Sequence, residues 1–357
     1  MSMLNFALVG TGGITLQNHL PGLALCPDVR VHALCDAEAA TLEAARRATG
    51  APVAAARWED VVTRDDVHAV IIATPNFLHP DIAIAAVRHG KHVLCEKPLA
   101  LSAVDARRMA DEADRAGVRH MTAFTYRFVP AMRYLKHLVE RGDLGQPWHY
   151  RCCRLQDWGT RHLGWRQVKK LAGTGEIGDM LSHRIDFAHH LVGPMRRLVA
   201  SLRNLTPVRG GAPNDTDDWV GLLAEFAAGA TGVFESSKLA TGVNESWRSP
   251  DRVELNGSAG SFSFTTGAWN ELQHGVPGGP GLRPLPVPPE FWVWPGCPRE
   301  PGAGDPLISF RYDQALEFVS AIREERDCAI TFHDGARAQQ VMEAAVQSAT
   351  EGRWVEV

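Results

Sequence analysis

Three titratable side chains of this chain stand where they could move a proton to and from a small molecule. Lys97 follows a short apolar run that ends at Cys95, and it lies within Glu96-Lys97-Pro98. Asp179 and His183 are four residues apart, so on a helix they share one face. A lysine at the end of a buried strand and a histidine that titrates near neutrality are typical of general acid–base catalysis. We therefore predict that Lys97, Asp179 and His183 are catalytic and also contact the substrate.

Each of these residues also has an interpretation without catalysis. Lys97 could be a solvated loop lysine, and Asp179 with His183 could be a helix pair that satisfies itself. The same pair has a spacing that metal ligands use, but no third ligand is convincing, so we predict no metal. Asp186 could bind a substrate hydroxyl or make a structural hydrogen bond. Either Lys97 or His183 could be the immediate base.

A glycine turn near the start of the chain predicts a nucleotide site. Gly10-Thr11-Gly12-Gly13-Ile14 follows a short apolar strand and opens a helix. The first glycine permits a tight turn, and the second lets the backbone approach a pyrophosphate that the helix N-terminus stabilises. The third glycine of this fingerprint is replaced by Thr15, which we expect to loosen the packing of helix on strand.

Asp36 indicates which dinucleotide binds. It ends the second strand, 26 residues after Gly10, where an acidic residue accepts hydrogen bonds from ribose hydroxyls. Ala37 and Glu38 follow it, with no cation to meet a 2′-phosphate, so we predict NAD and regard NADP as the weaker choice. The alternative for Asp36 is a helix N-cap.

These residues need a sheet that brings strand ends together. Strand and helix patterns alternate to about residue 122, which predicts an α/β fold whose N-terminal Rossmann domain (residues 1–122) has a doubly wound parallel sheet. From residue 123 the pattern changes to an α+β domain (residues 123–357) with a large, mostly antiparallel sheet. Residues 275–306 hold ten of the 22 prolines, and we predict a long ordered loop there.

Composition excludes several classes of protein. The 357 residues are 45% hydrophobic and 22% charged, with a net charge of −4 and no basic tract, so we expect no nucleic-acid partner. Apolar runs such as residues 67–73 are too short for a membrane span. We see no signal peptide. The seven cysteines contain no Cys-x-x-Cys pair, which is typical of free thiols in a cytoplasmic protein.

The ordered motifs resemble the Gfo/Idh/MocA family of oxidoreductases. The matching segments are Thr74-Pro75-Asn76-x-x-His79, Glu96-Lys97-Pro98, Tyr126-Arg127-Phe128-x-Pro130, Trp165-Arg166, Gly173-x-Gly175-x-x-Gly178-Asp179-x-x-x-His183-x-x-Asp186 and Asp334-Gly335-x-Arg337. The resemblance covers essentially the whole chain. It implies hydride transfer between a nicotinamide and a secondary alcohol of a sugar, cyclitol or sugar derivative, in a homodimer or homotetramer formed through the C-terminal sheet.

The resemblance also assigns residues. It implies cofactor contacts from Thr74, Pro75, Asn76, His79, Glu96, Lys97, Trp165 and Arg166, and substrate contacts from Tyr126 and Arg127. Family members usually carry glycine two residues after the helix carboxylate, where this chain has Leu181. We expect Leu181 to narrow the pocket near Asp179.

A segment rich in tryptophan and arginine supplies further candidates. Tryptophan faces stack on sugar rings and arginine binds hydroxyls or anions, so Trp158, Arg161 and His162 are candidate substrate contacts. An interface or surface loop is the alternative. If Arg154 and Arg161 converge, the substrate would be an anionic sugar.

Two other functions use parts of the same pattern. Transient oxidation of a sugar carbon acidifies the neighbouring C–H, so an NAD-dependent glycosidase could eliminate its leaving group and regenerate the cofactor. A redox-silent nucleotide-binding sensor would also keep the glycine turn. The presence of Lys97, Asp179 and His183 together argues against the sensor.

Overall fold

The structure is a computed structural model that describes residues 2–243, 251–265 and 267–357. The chain forms two compact units. The first comprises Met1–Thr125, Trp294–Gly304 and Ile308–Arg337, and the second Tyr126–Val293, Asp305–Leu307 and Ala338–Val357. The C-terminal part of the chain therefore contributes to both units.

The first unit contains a six-stranded parallel sheet. Its strands are β1 Leu4–Val9, β2 Val29–Cys35, β3 Val53–Ala55, β4 Ala69–Ile72, β5 His92–Cys95 and β6 His120–Thr122. Their order is β3-β2-β1-β4-β5-β6, so the winding direction reverses between β1 and β4. In such sheets a nucleotide binds at the carboxyl ends of the strands beside this reversal.

Helices cover both faces of this sheet, and its central strands are accordingly apolar. All four residues of β4 are buried. Val9, Ile72, Val93 and Ile82 belong to one apolar core cluster. Strands buried on both faces appear in a sequence as continuous hydrophobic runs, which is why apolar runs in this sequence mark β1, β4 and β5.

Most helix boundaries follow local signals. The helices are α1 Leu20–Ala24, α2 Ala39–Thr49, α3 Glu59–Val62, α4 His79–Arg88, α5 Ala103–Ala116, α6 Pro130–Arg141, α7 Lys169–Ala172, α8 Ser182–Leu191, α9 Pro306–Ser309, α10 Asp313–Arg323 and α11 Phe332–Glu351. Ser102 Oγ accepts from the N–H of Asp105 at 3.0 Å, and Gly117 ends α5 with a φ of +66°. Within the described part of the chain, no helix is both long and apolar enough to cross a membrane.

The second unit contains a nine-stranded sheet and a two-stranded ribbon. Its strands are β7 Pro147–Leu155, β8 Met195–Arg203, β9 Val208–Arg209, β10 Ala212–Pro213, β11 Trp219–Phe226, β12 Thr231–Ser237, β13 Arg252–Gly257, β14 Ser261–Thr265, β15 Glu271–Gly275, β16 Arg283–Pro286 and β17 Val355–Glu356. The large sheet has the order β16-β15-β14-β13-β7-β12-β11-β8-β17, and β9 pairs with β10. Among its described pairs, β7 with β12 is parallel and the rest are antiparallel. The predicted fold class is confirmed.

The proline-rich segment at residues 275–306 is only partly a loop, which corrects our prediction. It contains β16, which pairs with β15 at the edge of the large sheet. Proline lacks the N–H of the sheet ladder, so it is tolerated on an edge strand, and β16 carries two prolines. Further along, Arg133 Nη1 donates to the carbonyl oxygens of Phe291 and Val293 at 2.7 Å each, which anchors this part of the segment to α6.

Candidate active site

The glycine turn after β1 is closed by hydrogen bonds that the motif does not reveal. Gly10 has a φ of +90°, and a Cβ atom there would lie 2.4 Å from the carbonyl oxygen of Ala73, so only glycine fits. The buried Thr15 donates from Oγ1 to the carbonyl oxygen of Gly10 at 2.6 Å. Thr15 therefore closes the turn, whereas we expected it to loosen the packing.

Asp36 at the end of β2 binds this same turn. Its Oδ2 accepts from N and Oγ1 of Thr11 at 2.8 and 3.1 Å, and its Oδ1 accepts from the N–H of Glu38 at 2.9 Å. Glu38 itself is the N-cap residue of α2. Asp36 is half-buried, and its Oδ1 has capacity for one further donor such as a ribose hydroxyl.

The rest of the turn fits a pyrophosphate. A Cβ atom at Gly12 would meet no atom within 4 Å, and Gly13 is exposed, so both backbones are open to a ligand. A π-helical turn, Thr15–His19, begins directly after Ile14, and unpaired N–H groups of a helix start favour an anion. These residues fit the phosphate and ribose groups of NAD.

His79 joins two turns at the carboxyl ends of the strands. Its Nδ1 lies 3.0 Å from the carbonyl oxygen of Pro98 and its Nε2 lies 3.0 Å from that of Thr74. Burial lowers the pKa of His79, so the ring is neutral and donates to one carbonyl at a time. His79 is fully buried and Asn76 nearly so, while Thr74 and Pro75 keep partial exposure. His79 therefore holds together the backbone segments that follow β4 and β5.

Lys97 lies half-exposed after β5, and the preceding residue, Glu96, contacts a buried histidine that the sequence motifs did not indicate. The Nε2 atom of His19 lies 3.0 Å from Oε1 of Glu96, and the N–H of Lys97 donates to Oε2 of Glu96 at 3.4 Å. Burial alone would raise the pKa of Glu96, but His19 and the Lys97 charge outweigh it and hold this pKa below its ordinary value. An ionised carboxylate therefore adjoins the predicted base. A histidine within the helix after a glycine turn was the available signal.

In the second unit, Asp179 lies in a cluster with two residues that were also missed. Nζ of Lys238 lies 3.0 Å from Oε2 of Glu176 and 3.2 Å from Oδ2 of Asp179. Nε of Arg166 lies 3.9 Å from Oδ1 of Asp179. Glu176 lies three residues before Asp179, but Lys238 follows β12, so the sequence offered no signal that they meet.

The backbone before Asp179 is held by the start of β11. Asp217 accepts from the N–H groups of Gly175 and Ile177 at 2.6 and 2.9 Å, and the N–H of Glu176 donates to the Asp217 carbonyl oxygen at 2.8 Å. A Cβ atom at Gly175 would lie 2.0 Å from that same carbonyl oxygen. Gly175 is therefore required for this close approach, which fixes the direction of Asp179.

His183 is almost completely buried against an aromatic ring. Its ring packs edge-on against Tyr126, with centroids 4.6 Å apart, and the guanidinium of Arg184 lies 5.0 Å from the Tyr126 ring centre. Tyr126 thus fixes the imidazole plane on the helix that follows Asp179. The structure brings Tyr126 and His183 together, as their shared prediction as substrate residues requires.

Buried arginines of the second unit are paired with carboxylates. Arg127 donates from Nε to Oδ2 of Asp186 at 2.7 Å, and its Nη2 contacts Oδ1. Arg154 and Arg184 both bind Asp251. The guanidinium of Arg127, which we predicted to contact the substrate, is occupied by this ion pair. For Asp186, the pair favours a structural hydrogen bond over binding of a substrate hydroxyl.

The tryptophan and arginine segment pairs its own residues. The exposed Arg161 lies over the ring of Trp158 at 5.0 Å, and Arg166 lies over Trp165 at 4.5 Å. Arg154 is buried in its pair with Asp251. These contacts give no support to the condition for an anionic sugar, which was that Arg154 and Arg161 converge.

Leu181 does not narrow a pocket near Asp179, which corrects another expectation. Its side chain is 0% exposed and belongs to the buried core. Two residues along a helix turn a side chain to roughly the opposite side. The leucine therefore packs inward while Asp179 keeps partial exposure.

A separate cluster in the first unit has three side chains of metal-binding type. Nε2 of His120 lies 3.0 Å from Oδ1 of Asp114, and Nε2 of His333 lies 2.8 Å from Oδ2. However, Nδ1 of His120 accepts from the N–H of Phe332 at 3.0 Å. A histidine that binds metal normally donates from its other ring nitrogen, whereas Nδ1 of His120 is an acceptor. The proton therefore lies on Nε2, and the three side chains form a hydrogen-bonded cluster and not a metal site.

Comparison with known proteins finds similarity along the whole chain. Residues 4–124 match the oxidoreductase family with NAD-binding Rossmann fold, and residues 132–263 match the GFO/IDH/MocA C-terminal domain. Levoglucosan dehydrogenase of Pseudarthrobacter phenanthrenivorans is 33% identical over 100% of this chain and 99% of that protein. Myo-inositol 2-dehydrogenase of Thermotoga maritima is 28% identical over 72% of this chain and 74% of that protein.

A solved structure gives the same result. Levoglucosan dehydrogenase in complex with NADH and levoglucosan superposes with a TM-score of 0.91 at 32% identity, covering 100% of both chains. The chain belongs to the Gfo/Idh/MocA family of oxidoreductases. It is an NAD-dependent enzyme that transfers a hydride between the nicotinamide and a secondary alcohol of a sugar, cyclitol or sugar derivative. The predicted family, cofactor and enzyme class are confirmed.

Proposed function

We propose that this enzyme oxidises a secondary hydroxyl of a neutral sugar of the levoglucosan type. The full-length similarity to levoglucosan dehydrogenase supports this substrate class. The observation that carries the proposal is the pairing of buried arginines in the second unit, where Arg127 binds Asp186 and both Arg154 and Arg184 bind Asp251. Guanidinium groups already committed to carboxylates favour a substrate without charge.

Lys97 acts as the general base in this proposal. Bound NAD supplies the carbon that accepts the hydride. Lys97 takes the proton of the reacting hydroxyl after it has released its own, because only the free amine can act as a base. The ionised Glu96 stands next to it in the chain and is fixed by His19. When Lys97 takes the proton, the carboxylate of Glu96 stabilises the resulting ammonium.

Asp179 and His183 orient the reacting alcohol. The partly exposed carboxylate of Asp179 accepts a hydrogen bond from a substrate hydroxyl, and His183 contributes a second polar contact from the same helical face. Tyr126 fixes the ring of His183. Trp158 with Arg161 offers an aromatic and cationic surface for the sugar ring.

The cofactor is bound by the predicted turns. Gly10, Thr11, Gly12, Gly13 and Ile14 surround the pyrophosphate and Asp36 accepts from the ribose. Further cofactor contacts come from Thr74, Pro75, Asn76, Glu96, Trp165 and Arg166. His79 acts indirectly, by holding the backbone carbonyl groups of Thr74 and Pro98 in place. We propose residues 1–122 as the NAD domain and residues 123–357 as the domain for substrate and subunit contacts.

A panel assay tests this function. The enzyme is mixed with NAD and with levoglucosan, free sugars, inositols, sugar acids or aryl glycosides, and both the absorbance at 340 nm and aglycone release are followed. We expect sustained NADH formation with neutral sugars, levoglucosan foremost, and little with sugar acids. Faster oxidation of sugar acids would refute a neutral substrate. Aglycone release that requires NAD but leaves no net NADH would establish the redox-assisted glycosidase instead.

We also propose a homodimer or homotetramer in the cytoplasm. On the open face of the large sheet, Leu223 is 49% exposed and is paired in register with Val199 and Val233 on the two neighbouring strands. Leu223 is exposed and the two valines are half-buried, and a partly exposed apolar row on a sheet face is typical of a subunit contact. Replacing Leu223 with Glu should lower the mass of the particle in light scattering, and an unchanged mass would contradict this interface.

A further inference from the structure

A buried lysine links Asp179 to a second, deeper carboxylate. Nζ of Lys238 lies 3.0 Å from Oε2 of Glu176 and 3.2 Å from Oδ2 of Asp179. Lys238 is 2% exposed and Glu176 is 0% exposed, while the Asp179 side chain keeps 16%. Only Asp179 among these three can therefore meet a ligand. A buried ammonium is costly unless it is paired, so Lys238 is held by the carboxylates around it.

The hydroxyl of Ser236 contacts two oxygen atoms, and this restricts where the protons of the cluster can lie. Ser236 Oγ is 3.1 Å from the carbonyl oxygen of Arg154 and also contacts Oε1 of Glu176. A hydroxyl has one proton, and a carbonyl oxygen only accepts. Both contacts are hydrogen bonds when Ser236 donates to the carbonyl and a protonated Glu176 donates to Ser236. Burial raises the pKa of Glu176, in agreement with this assignment.

The remaining charges then balance. With Glu176 neutral, the Lys238 ammonium pairs with one carboxylate, that of Asp179. Two further titratable groups lie near Asp179 in the described part of the chain. Arg166 is exposed and 3.9 Å away, so water screens it. His183 follows four residues later on the same helical face. Asp217 lies near Lys238, but its carboxylate already accepts two backbone N–H groups.

We propose that Lys238 is a positioning residue of the reaction, which holds Asp179 ionised and aimed at the substrate while a protonated Glu176 supports the lysine from below. This role rests on the proposed function of Asp179 as a substrate ligand. Lys238 directly follows β12, whereas Asp179 lies in the π-helical turn Ile177–Leu181, so the tertiary fold brings these two distant residues together. The N–H of Trp158 donates to the Lys238 carbonyl oxygen at 2.8 Å, which ties the tryptophan segment to the same support.

The pH dependence of kcat/KM tests this role. In Lys238→Met, Asp179 loses its cation, so the acid limb of the profile should move to higher pH by about one unit. The value of kcat/KM near neutrality should fall about tenfold, with NAD affinity unchanged. Lys238→Arg keeps the charge and should restore the wild-type acid limb. Lys136→Met is the control, because this lysine of α6 binds the His190 carbonyl oxygen and Glu140 away from Asp179.

Further measurements separate the possible failures. Asp179→Asn reports on the proposed function alone: if it keeps full activity, Asp179 is not a substrate ligand. If Asp179→Asn loses activity while Lys238→Met keeps the wild-type profile, the role of Lys238 is refuted by itself. Should Lys238→Met not fold, infrared spectra of the wild type and Glu176→Gln decide. We expect a carbonyl band of a protonated carboxylic acid at pH 7 that the substitution removes, and its absence in the wild type would overturn the proposal.

Discussion

His19 and Glu96 join the helical turn after the glycine motif to the turn that carries Lys97. Nε2 of His19 lies 3.0 Å from Oε1 of Glu96, and the histidine is fully buried. The two residues are 77 positions apart in the chain. Within the first unit, this contact joins the helical turn after the glycine motif to the segment that carries the predicted base.

His19→Ala should weaken NAD binding. A hydrogen bond to a charged group contributes about 1.5–3 kcal/mol, so the dissociation constant of NAD should rise about tenfold or more as Glu96 loses its partner. Isothermal titration calorimetry measures this constant directly. His89→Ala removes an exposed histidine of the same unit and serves as the control. Equal NAD affinity in His19→Ala and wild type would show that the contact does not support the cofactor.

Lys97→Met should lower kcat about a hundredfold, which is the usual scale for loss of an acid–base group. The dissociation constant of NAD should be unchanged, because the glycine turn and Asp36 remain. Steady-state rates and a separate NAD titration distinguish the two effects. The matched control is Lys170→Met, which removes an exposed lysine of the second unit. Near-normal turnover in Lys97→Met would rule out this lysine as the base.

Asp36→Ala should raise the KM for NAD about tenfold, since both the ribose contact and the hydrogen bonds to Thr11 are lost. The KM for NADP should change less, because a carboxylate beside a 2′-phosphate is repulsive and its removal offsets part of the damage. Asp65→Ala, an exposed aspartate of the same unit, provides the comparison. An NAD KM like that of the wild type would refute the ribose contact.

His92 should make stability depend on pH. Burial lowers its pKa to about 4, whereas an unfolded histidine titrates near about 6.5. Between these values the unfolded state binds more protons, so the free energy of unfolding falls as pH falls from about 6.5 toward 4. His92→Asn can still accept from the N–H of Arg119, which His92 Nδ1 accepts at 2.9 Å, and lacks the titration.

The variant should therefore lose less stability on acidification than the wild type, by at most about 2 kcal/mol between pH 7 and pH 5. Denaturant unfolding at pH 7 and pH 5 measures the difference, and His89→Asn is the exposed control. Parallel losses in wild type and His92→Asn would mean that His92 does not titrate differently in the folded state.

Elements with strong local signals can be derived from the sequence. The strand at Val29–Cys35 and the helix at Ala103–Ala116, with Ser102 before it and Gly117 after it, follow from apolar runs, a capping hydroxyl and a glycine that adopts positive φ. Edge strand β16 was missed because its prolines resemble a loop, and only pairing with β15 makes it a strand.

The sequence by itself determined the fold class, the glycine turn, the positions of Lys97, Asp179 and His183, and through them the family. These features depend on neighbours in the chain or on short motifs. The tertiary structure alone decided which charges meet: His19 with Glu96, Arg127 with Asp186, Arg154 with Asp251, and Lys238 with Asp179. Such pairs join segments that are distant in sequence, and strand order and sheet register set which side chains come within hydrogen-bonding distance.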